Sequence, residues 1–517
     1  MVSKGLFGNL GDPGRSPVMG VVADKPKRGG SHDDALEVGP THRRGVVRVM
    51  SGASRGSLEG VGSYTQSEGE TPTMHRNGDW VQTKLKLITS RAQRDRGWRF
   101  TTLAYLLDEG FLAQCFMELK RGKAPGIDGV RWEEYAEKLT ENLRGLVSRL
   151  KVKRYWPQPV KRVFIPKDEK SVRPLGLVVV EDKVVQMGIT RILEAIFEVD
   201  FLEVSYGFRC NRSCHDALDR LDKAIMSKPV NYIVEADIKG FFDHVDHKWM
   251  MECLRQRISD PSFLRLIGRF LRAGIMEEGK YIETEEGTPQ GGILSPVLSN
   301  IYLHYVLDLW FEKRLKRELC GYAEENRYAD DFVICLQNKE DGERVLEAVR
   351  ERFAKFGLSL SEEKTRLIKF GRYARANGEK RGEKPASFDY LGFTHFIDRT
   401  RRGTFKVGRR TSKKKFRAKI KAINSWLKSV RNAVKLKEWW AVLRVKLLGH
   451  YRYYGISGNF KGIERYYLRV LALVYKWINR RSQRRSYNRR GFAQYLGHYP
   501  IPKPRIYRNL YTLSPVK

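Results

Sequence analysis

The chain has 517 residues, with 97 Lys and Arg against 60 Asp and Glu, a formal net charge of +37. That length exceeds one ordinary core and predicts two to four domains or subdomains. A charge so large points to a polyanionic partner, nucleic acid first; no apolar run reaches eighteen residues, which excludes a membrane-spanning helix, and the first thirty residues hold no apolar segment of a secretory signal.

The charge is unevenly spread. From Arg401 to Lys517 there are 32 Lys and Arg but only two acids, Glu438 and Glu464, a net of +30 in 117 residues. The first 400 residues carry the remaining +7, so a near-balanced body precedes a strongly basic C-terminal part. Six cysteines are scattered, and Cys210 and Cys214 lack a second Cys/His pair of matching spacing, so free thiols are expected rather than a zinc site.

Residues 1–78 are rich in Gly, Ser and charge without periodicity and read as a flexible arm. Helical spacing appears over Trp80–Leu119, is broken by Lys123–Gly129 (KAPGIDG), and returns at about Trp132–Leu150. Val160–Pro166 alternates like a strand, Lys167–Arg173 is a polar turn, and Asp182–Phe197 reads as a helix. Tyr232–Asp237 (YIVEAD) is a strand ending in an acid. Arg327–Leu336 (RYADDFVICL) has the pattern of a hairpin with two acids at its tip. Asp341–Phe356 is an amphipathic helix and Phe388–Phe396 is strand-like. A basic linker over 401–415 leads to helices such as Phe416–Val434 and Ile463–Ile478. Strands and helices without a steady βαβ rhythm predict an α+β class followed by an all-helical module.

The chemistry is carried by Asp330 and Asp331. Adjacent carboxylates between apolar runs are costly to bury unless they hold a cation. An isolated Asp-Asp would read as an acidic surface turn, and an isolated strand-terminal Asp as a turn former. Asp237 supplies a third acid at a strand end, and together the three fit the two bridged divalent ions that phosphoryl and nucleotidyl transfer need.

The ordered motifs resemble those of group II intron reverse transcriptases, or intron-encoded maturases, over about residues 80–517. In order they are KAPGIDG (123–129), VFIPKDEKSVRPLG (163–176), VSYGFRCNRSCHDAL (204–218), VEADIKGFFDHVDH (234–247), GTPQGGILSPVLSNIYL (287–303), RYADDFVICL (327–336), LSEEKTRL (360–367) and FDYLGFTH (388–395). Two departures are Cys210-Asn211, where the family more often has Pro-Gly, and Ala329, where retroviral enzymes usually carry Met.

The resemblance implies a right-hand polymerase: fingers and an antiparallel palm sheet over 79–400, then a basic helical thumb and maturase module (domain X) over 401–517. It implies RNA-directed DNA synthesis, with a primer 3′-hydroxyl attacking the α-phosphate of a dNTP, and two Mg²⁺ ions, with Mn²⁺ as an alternative. Metal ligation would fall to Asp237, Ile238, Asp330 and Asp331, with Asp237 and Asp330 holding both ions and Asp331 assisting. Lys167 and Arg173 would clamp the triphosphate. Phe242 would gate against the ribose 2′-hydroxyl, Gln290 would contact nucleotide and template, and Lys364 would act as general acid for pyrophosphate. Each has a plainer reading: solvated basic turns for Lys167 and Arg173, a core ring for Phe242, a simple loop for Gln290, a surface lysine for Lys364.

The expected partners are the intron RNA as template and ribozyme, a DNA target or primer, and dNTP, with no membrane and with a dimer left open. The expected setting is the bacterial cytoplasm or nucleoid, and the expected biology is splicing together with retrohoming by target-primed reverse transcription. The last cysteine is Cys335 and only His395, His450 and His498 follow it, so no Cys/His endonuclease domain is expected. Basic residues and aromatics interleave at Trp439-Trp440 and His450–Tyr454, where phosphate contact and base stacking compete with a helical core. Two other readings stay open: a splicing-only RNA-binding maturase, against which the intact acids and Gln290 count, and a retron or phage-defence reverse transcriptase, against which the +30 region counts.

Overall fold

The computed structural model describes residues 74–166, 172–374, 385–481 and 486–511. The arm expected over 1–78 lies outside them except for its last five residues, which open α1 (Met74–Arg94). The helical stretch over Trp80–Leu119 is interrupted after α1 and resumes as α2 (Glu109–Glu118), where the Asp108 carboxylate accepts from the Phe111 N–H as an N-cap. α3 (Trp132–Glu137) and α4 (Leu139–Lys151) divide the next predicted helix at Lys138.

β1 (Val160–Pro166) and β2 (Val172–Leu177) pair antiparallel, and α5 (Val180–Phe197) follows. α6 (Cys214–Ser227) starts at a capping box in which Ser213 and Asp216 satisfy each other's backbone N–H. β3 (Tyr232–Asp237) has the predicted bounds. Two helices, α7 (His247–Arg255) and α8 (Pro261–Leu271), lead to the short strands β4 (Ile275–Glu277) and β5 (Lys280–Ile282). α9 (Ser295–Leu303) and α10 (Leu309–Lys313) are joined by a buried π turn, His304–Asp308. The acidic hairpin is β6 (Ala323–Tyr328) and β7 (Asp331–Leu336), followed by α11 (Lys339–Lys355) and β8 (Arg366–Lys369).

The segment Phe388–Phe396 is not one strand. β9 (Ser387–Tyr390) and β10 (Phe393–Arg399) meet at a two-residue turn in which Leu391 (φ 49°) and Gly392 (φ 80°) both have positive φ, the hairpin conformation that matches strand twist. Nor is 401–415 a linker. β11 (Phe405–Thr411) pairs with β10, so the division at 400 falls in their turn and the region after 401 is not all-helical. Density of Lys and Arg hid the strand, because its Arg409 is fully buried in an ion pair with Asp222 of α6. α12 (Lys413–Ala433), α13 (Leu436–Tyr454), α14 (Phe460–Ile478) and α15 (Arg489–His498) complete the described chain.

Three sheets form, in the orders β2-β1-β4-β5, β6-β7-β3-β8 and β11-β10-β9. The middle one is antiparallel throughout and decides the architecture. Alternate residues of β7 enter different cores: Phe332, Ile334 and Leu336 join the N-terminal core, Val333 and Cys335 the C-terminal one. On β3, Val234 and Ala236 face the first core and Ile233 the second. Burial on both faces is why FVICL reads as a continuous apolar run instead of alternating. The second core also takes Trp439, Trp440, Tyr451, Tyr454, Tyr466 and Trp477, so the aromatics offered for base stacking are interior. Among the described residues no helix is long and apolar enough to cross a membrane.

Candidate active site

β3 and β7 run antiparallel with Asp237 directly opposite Asp331. Two carboxylates in a cross-strand pair repel, and a sheet keeps such a pair only where something cationic answers it. By the two-residue period, both project to the same face as Ile233 and Val333, the side covered further along by the second core. Asp330 occupies the two-residue turn between β6 and β7 beside Ala329, which has φ 57°, a backbone conformation sparsely used by residues other than glycine. Asp331 keeps exposed surface, yet its carboxyl is pushed up to about 7, first by partial desolvation and then by the charges of Asp330 and Asp237.

The cation that answers them is Lys364. Its ammonium donates to Asp237 Oδ2 at 2.5 Å, and that bond, with further help from Asp331 and Asp330, raises the lysine above its usual range. The main chain puts it there. Lys239 N–H donates to the Ser359 carbonyl (2.9 Å), Ser361 N–H donates to the Asp237 carbonyl (2.8 Å), and Ile238 bridges Leu360 between these bonds. Ile238 itself buries its side chain in the first core, so only its carbonyl could serve an ion. Among the described residues no group of three or more His, Cys, Asp or Glu side chains is gathered closely enough to cage a metal ion.

Five residues past Asp237, Phe242 lines a cavity of about 200 Å³ with Gln290, Pro174, Gly176, Asp243 and the acids Glu283, Glu285 and Glu286. Gly240 (φ 55°) turns the chain after β3 so that Phe241 enters the core while Phe242 stays half-buried at the cavity wall. The glycine-rich loop is fastened on both sides. Thr288 N–H donates to the Phe242 carbonyl (2.7 Å), and the Gln290 carbonyl accepts from Gly176 N–H (2.5 Å). A Cβ at Gly291 would sit 2.8 Å from the Gly176 carbonyl oxygen, so the close approach of loop to β2 requires glycine. The Gln290 amide nitrogen lies 3.4 Å from Asp243 Oδ1. Arg173 is exposed on β2, immediately before the cavity residue Pro174. Lys167 lies outside the described residues.

Sequence reasoning passed over what lies beneath the hairpin. Arg327 is wholly buried. Its guanidinium donates to Asp308 Oδ1 (2.7 Å) and Oδ2 (2.6 Å), to Ser205 Oγ (2.8 Å), to Asn300 Oδ1 (3.2 Å), and to the Ala329 carbonyl at the hairpin tip (3.0 Å). Asp308 comes from the π turn, a feature often found near functional sites. Glu325 is also fully buried; burial and then the Asp308 charge push its carboxyl well above the usual carboxylate range. Gly207 touches the tip itself: a Cβ there would come within 2.3 Å of the Ala329 nitrogen. Asp308 inside the apolar run Tyr305–Phe311 was the available signal; Arg327, set among polar residues, gave none.

A family profile described as reverse transcriptase (RNA-dependent DNA polymerase) matches residues 165–395. Protein YkfC of Escherichia coli (strain K12) is 33% identical over 267 residues, covering 46% of this chain and 69% of that protein. The group II intron-encoded protein LtrA of Lactococcus lactis subsp. cremoris is 33% identical over 302 residues, covering 56% of this chain. The chain belongs to the group II intron reverse transcriptase family. It spans half the length of LtrA, 50% of that protein. Nuclear intron maturase 1 of Arabidopsis thaliana is similar over a shorter stretch, 30% identical over 113 residues.

Within the family frame the two departures have local explanations. Asn211 adopts φ 60°, a left-handed conformation that Asn tolerates better than most residues, so it can replace glycine at a turn. Ala329 is buried, and its backbone packs so closely on Gly207 that a Cβ at Gly207 would meet it.

Proposed function

We propose that this chain is an RNA-directed DNA polymerase that also binds intron RNA to assist its splicing and supports retrohoming by target-primed reverse transcription. The observation that carries the reading is the cross-strand pair Asp237–Asp331, with Asp330 at the adjoining hairpin tip, together with the Phe242–Gln290 cavity. In this reading the β6-β7-β3-β8 sheet is the palm, β1 and β2 belong to the fingers, and the sheet β9–β11 with α12–α15 forms the thumb and maturase module.

The donor set suits Mg²⁺: hard carboxylate oxygens whose mutual repulsion only a cation relieves, with Lys364 in that electrostatic role on Asp237. Asp237, Asp330, Asp331 and the Ile238 carbonyl would hold two ions, which when bound supply charge stabilisation at the α-phosphate and a more acidic primer hydroxyl. Arg173 is placed to pair with the triphosphate, and Gln290 to orient nucleotide against template. Phe242 closes the cavity wall where a 2′-hydroxyl would stand. Lys364 keeps its proton at neutral pH and is positioned to deliver it to the leaving pyrophosphate. RNA would lie on the basic face of α12, where only Ile423 and Leu427 are buried and Lys413, Lys415, Arg417, Lys419 and Lys428 face outward.

Primer extension on an RNA template tests the polymerase. Asp330→Ala should abolish dNTP incorporation, and wild-type incorporation by that variant would refute the assignment. The same variant should still promote intron splicing, because its RNA-facing surface is unchanged.

A further inference from the structure

The Phe242–Gln290 cavity is not the larger one. A groove of about 860 Å³ runs between α7 and α8, and its chemistry is of one sign. Lys248 and Arg255 stand seven residues apart on α7, about 10.5 Å along one face, while Arg265 lies on α8 and Arg272 caps its C-terminal end. Arg99 joins them from the segment after α1, and all five are exposed. Among the described residues Glu252 is the one acid on the groove wall, and it pairs with Arg255. Arg99, Lys248, Arg265 and Arg272 have no carboxylate partner among the described residues. Acids close by in the chain are engaged elsewhere: Asp246 caps Trp249 N–H, and Asp260, between the lining residues Ser259 and Pro261, accepts from the Leu103, Ala104, Ser262 and Phe263 N–H groups.

The floor explains what such a groove accepts. It is apolar, from Met251, Leu264 and Leu271, and Gly268 leaves its middle open, since a Cβ there would meet only the Arg272 side chain within 4 Å. Among the described residues no Phe, Tyr or Trp lines it, so it offers nothing on which bases could stack. His247 at its edge donates Nε2–H to the Gly287 carbonyl (2.7 Å), which ties the groove to the glycine-rich loop, and burial lowers its pKa.

We infer that this groove is a second polynucleotide-binding site, which grips the phosphates of a single strand between two rows of cations and does not read its bases. The inference rests on the nucleic-acid reading above but adds a surface lined by none of the three acids and by no residue of α12–α15. RNA and DNA single strands share the chemistry.

The test uses the full chain with the double substitution Lys248→Glu/Arg265→Glu, both at exposed positions. Binding is measured across salt concentrations to unstructured 40-nucleotide RNA and DNA of one sequence. Two lost phosphate contacts should flatten the slope of log affinity against log salt by about 1.4, at about 0.7 per contact for single strands. Affinity at low salt should fall on the order of tenfold or more. Extension of a short primer–template should stay unchanged. Loss with both polymers assigns the groove to any single strand, and loss with RNA alone assigns it to RNA. Unchanged slope and affinity on a wild-type background that binds overturns the groove alone; a wild-type chain that binds neither polymer overturns the nucleic-acid reading with it.

Discussion

Replacing Arg327 by Met should be among the most damaging changes available outside the acids. The guanidinium makes five hydrogen bonds, and both it and Asp308 have no exposed surface. Met fills much of the volume but leaves Asp308 as a buried charge without its partner. Breaking a buried pair from one side costs about 3–5 kcal/mol. Removing both charges with Arg327→Met/Asp308→Leu should cost clearly less than the two single changes summed, because the stranded charge is what destabilises. Urea unfolding followed by tryptophan fluorescence reads the stability. Primer extension reads the second consequence, since the Ala329 carbonyl loses its donor and the tip carrying Asp330 is freed: kcat should fall while KM for dNTP holds. A single-variant loss under about 1 kcal/mol, or a double variant as unstable as the sum, would refute the reasoning.

Three further outcomes follow from neighbouring geometry. Gly207→Ala forces a methyl group against the Ala329 backbone and should lower extension on the order of a hundredfold with circular dichroism unchanged; normal extension would show that the contact does not hold the tip. Phe242→Ala opens the cavity wall and should raise rNTP relative to dNTP incorporation by roughly 10–100-fold, measured by competition on one template, whereas unchanged selectivity removes Phe242 from that role. Asp182 is buried and pushed up to about 7, by burial above all and against the hydrogen bonds from Tyr155 and Gln158. Its folded form therefore binds a proton more tightly than the unfolded chain, so its contribution to stability falls as pH rises from about 3.9 to about 7 and is level above that. Asp182→Asn should flatten this slope in midpoint-against-pH curves, and an unaltered slope would place the titration elsewhere.

Local pattern carried the reading where one strand or loop states its own purpose. Tyr232–Asp237 matches β3 to the residue, and the acidic hairpin and α5 fall close to expectation. Pattern failed where charge entered the interior. Arg409 made a strand look like a linker, because nothing local announces that Asp222, far away in sequence, will bury it. Leu391-Gly392 hid a turn because Leu is not a residue expected at positive φ. The acids were legible as a motif, but their support was not: Arg327 and Asp308 meet only because a π turn shifts the helix that carries Asp308. Lys364, a plain surface lysine by sequence, reaches Asp237 only through the main-chain bonds that fasten residues 359–361 to the end of β3.

The middle sheet, with one row of β7 in each core, makes the two halves of the molecule joint owners of a single wall. Ile233, Val333, Cys335 and Ile368 share one core with Leu218, Leu221 and Ile225 of α6 as well as with Phe388, Phe393 and Tyr451 of the C-terminal body. Ties such as Arg508 to Asp216 (2.5 Å) and His215 to the Tyr453 carbonyl (2.8 Å) cross the same boundary. A fragment cut before β9 would therefore keep α6 on the back of this sheet but lose the C-terminal part of its cover. Truncation there would disturb both bodies at once, so single side-chain substitutions separate their proposed roles more cleanly.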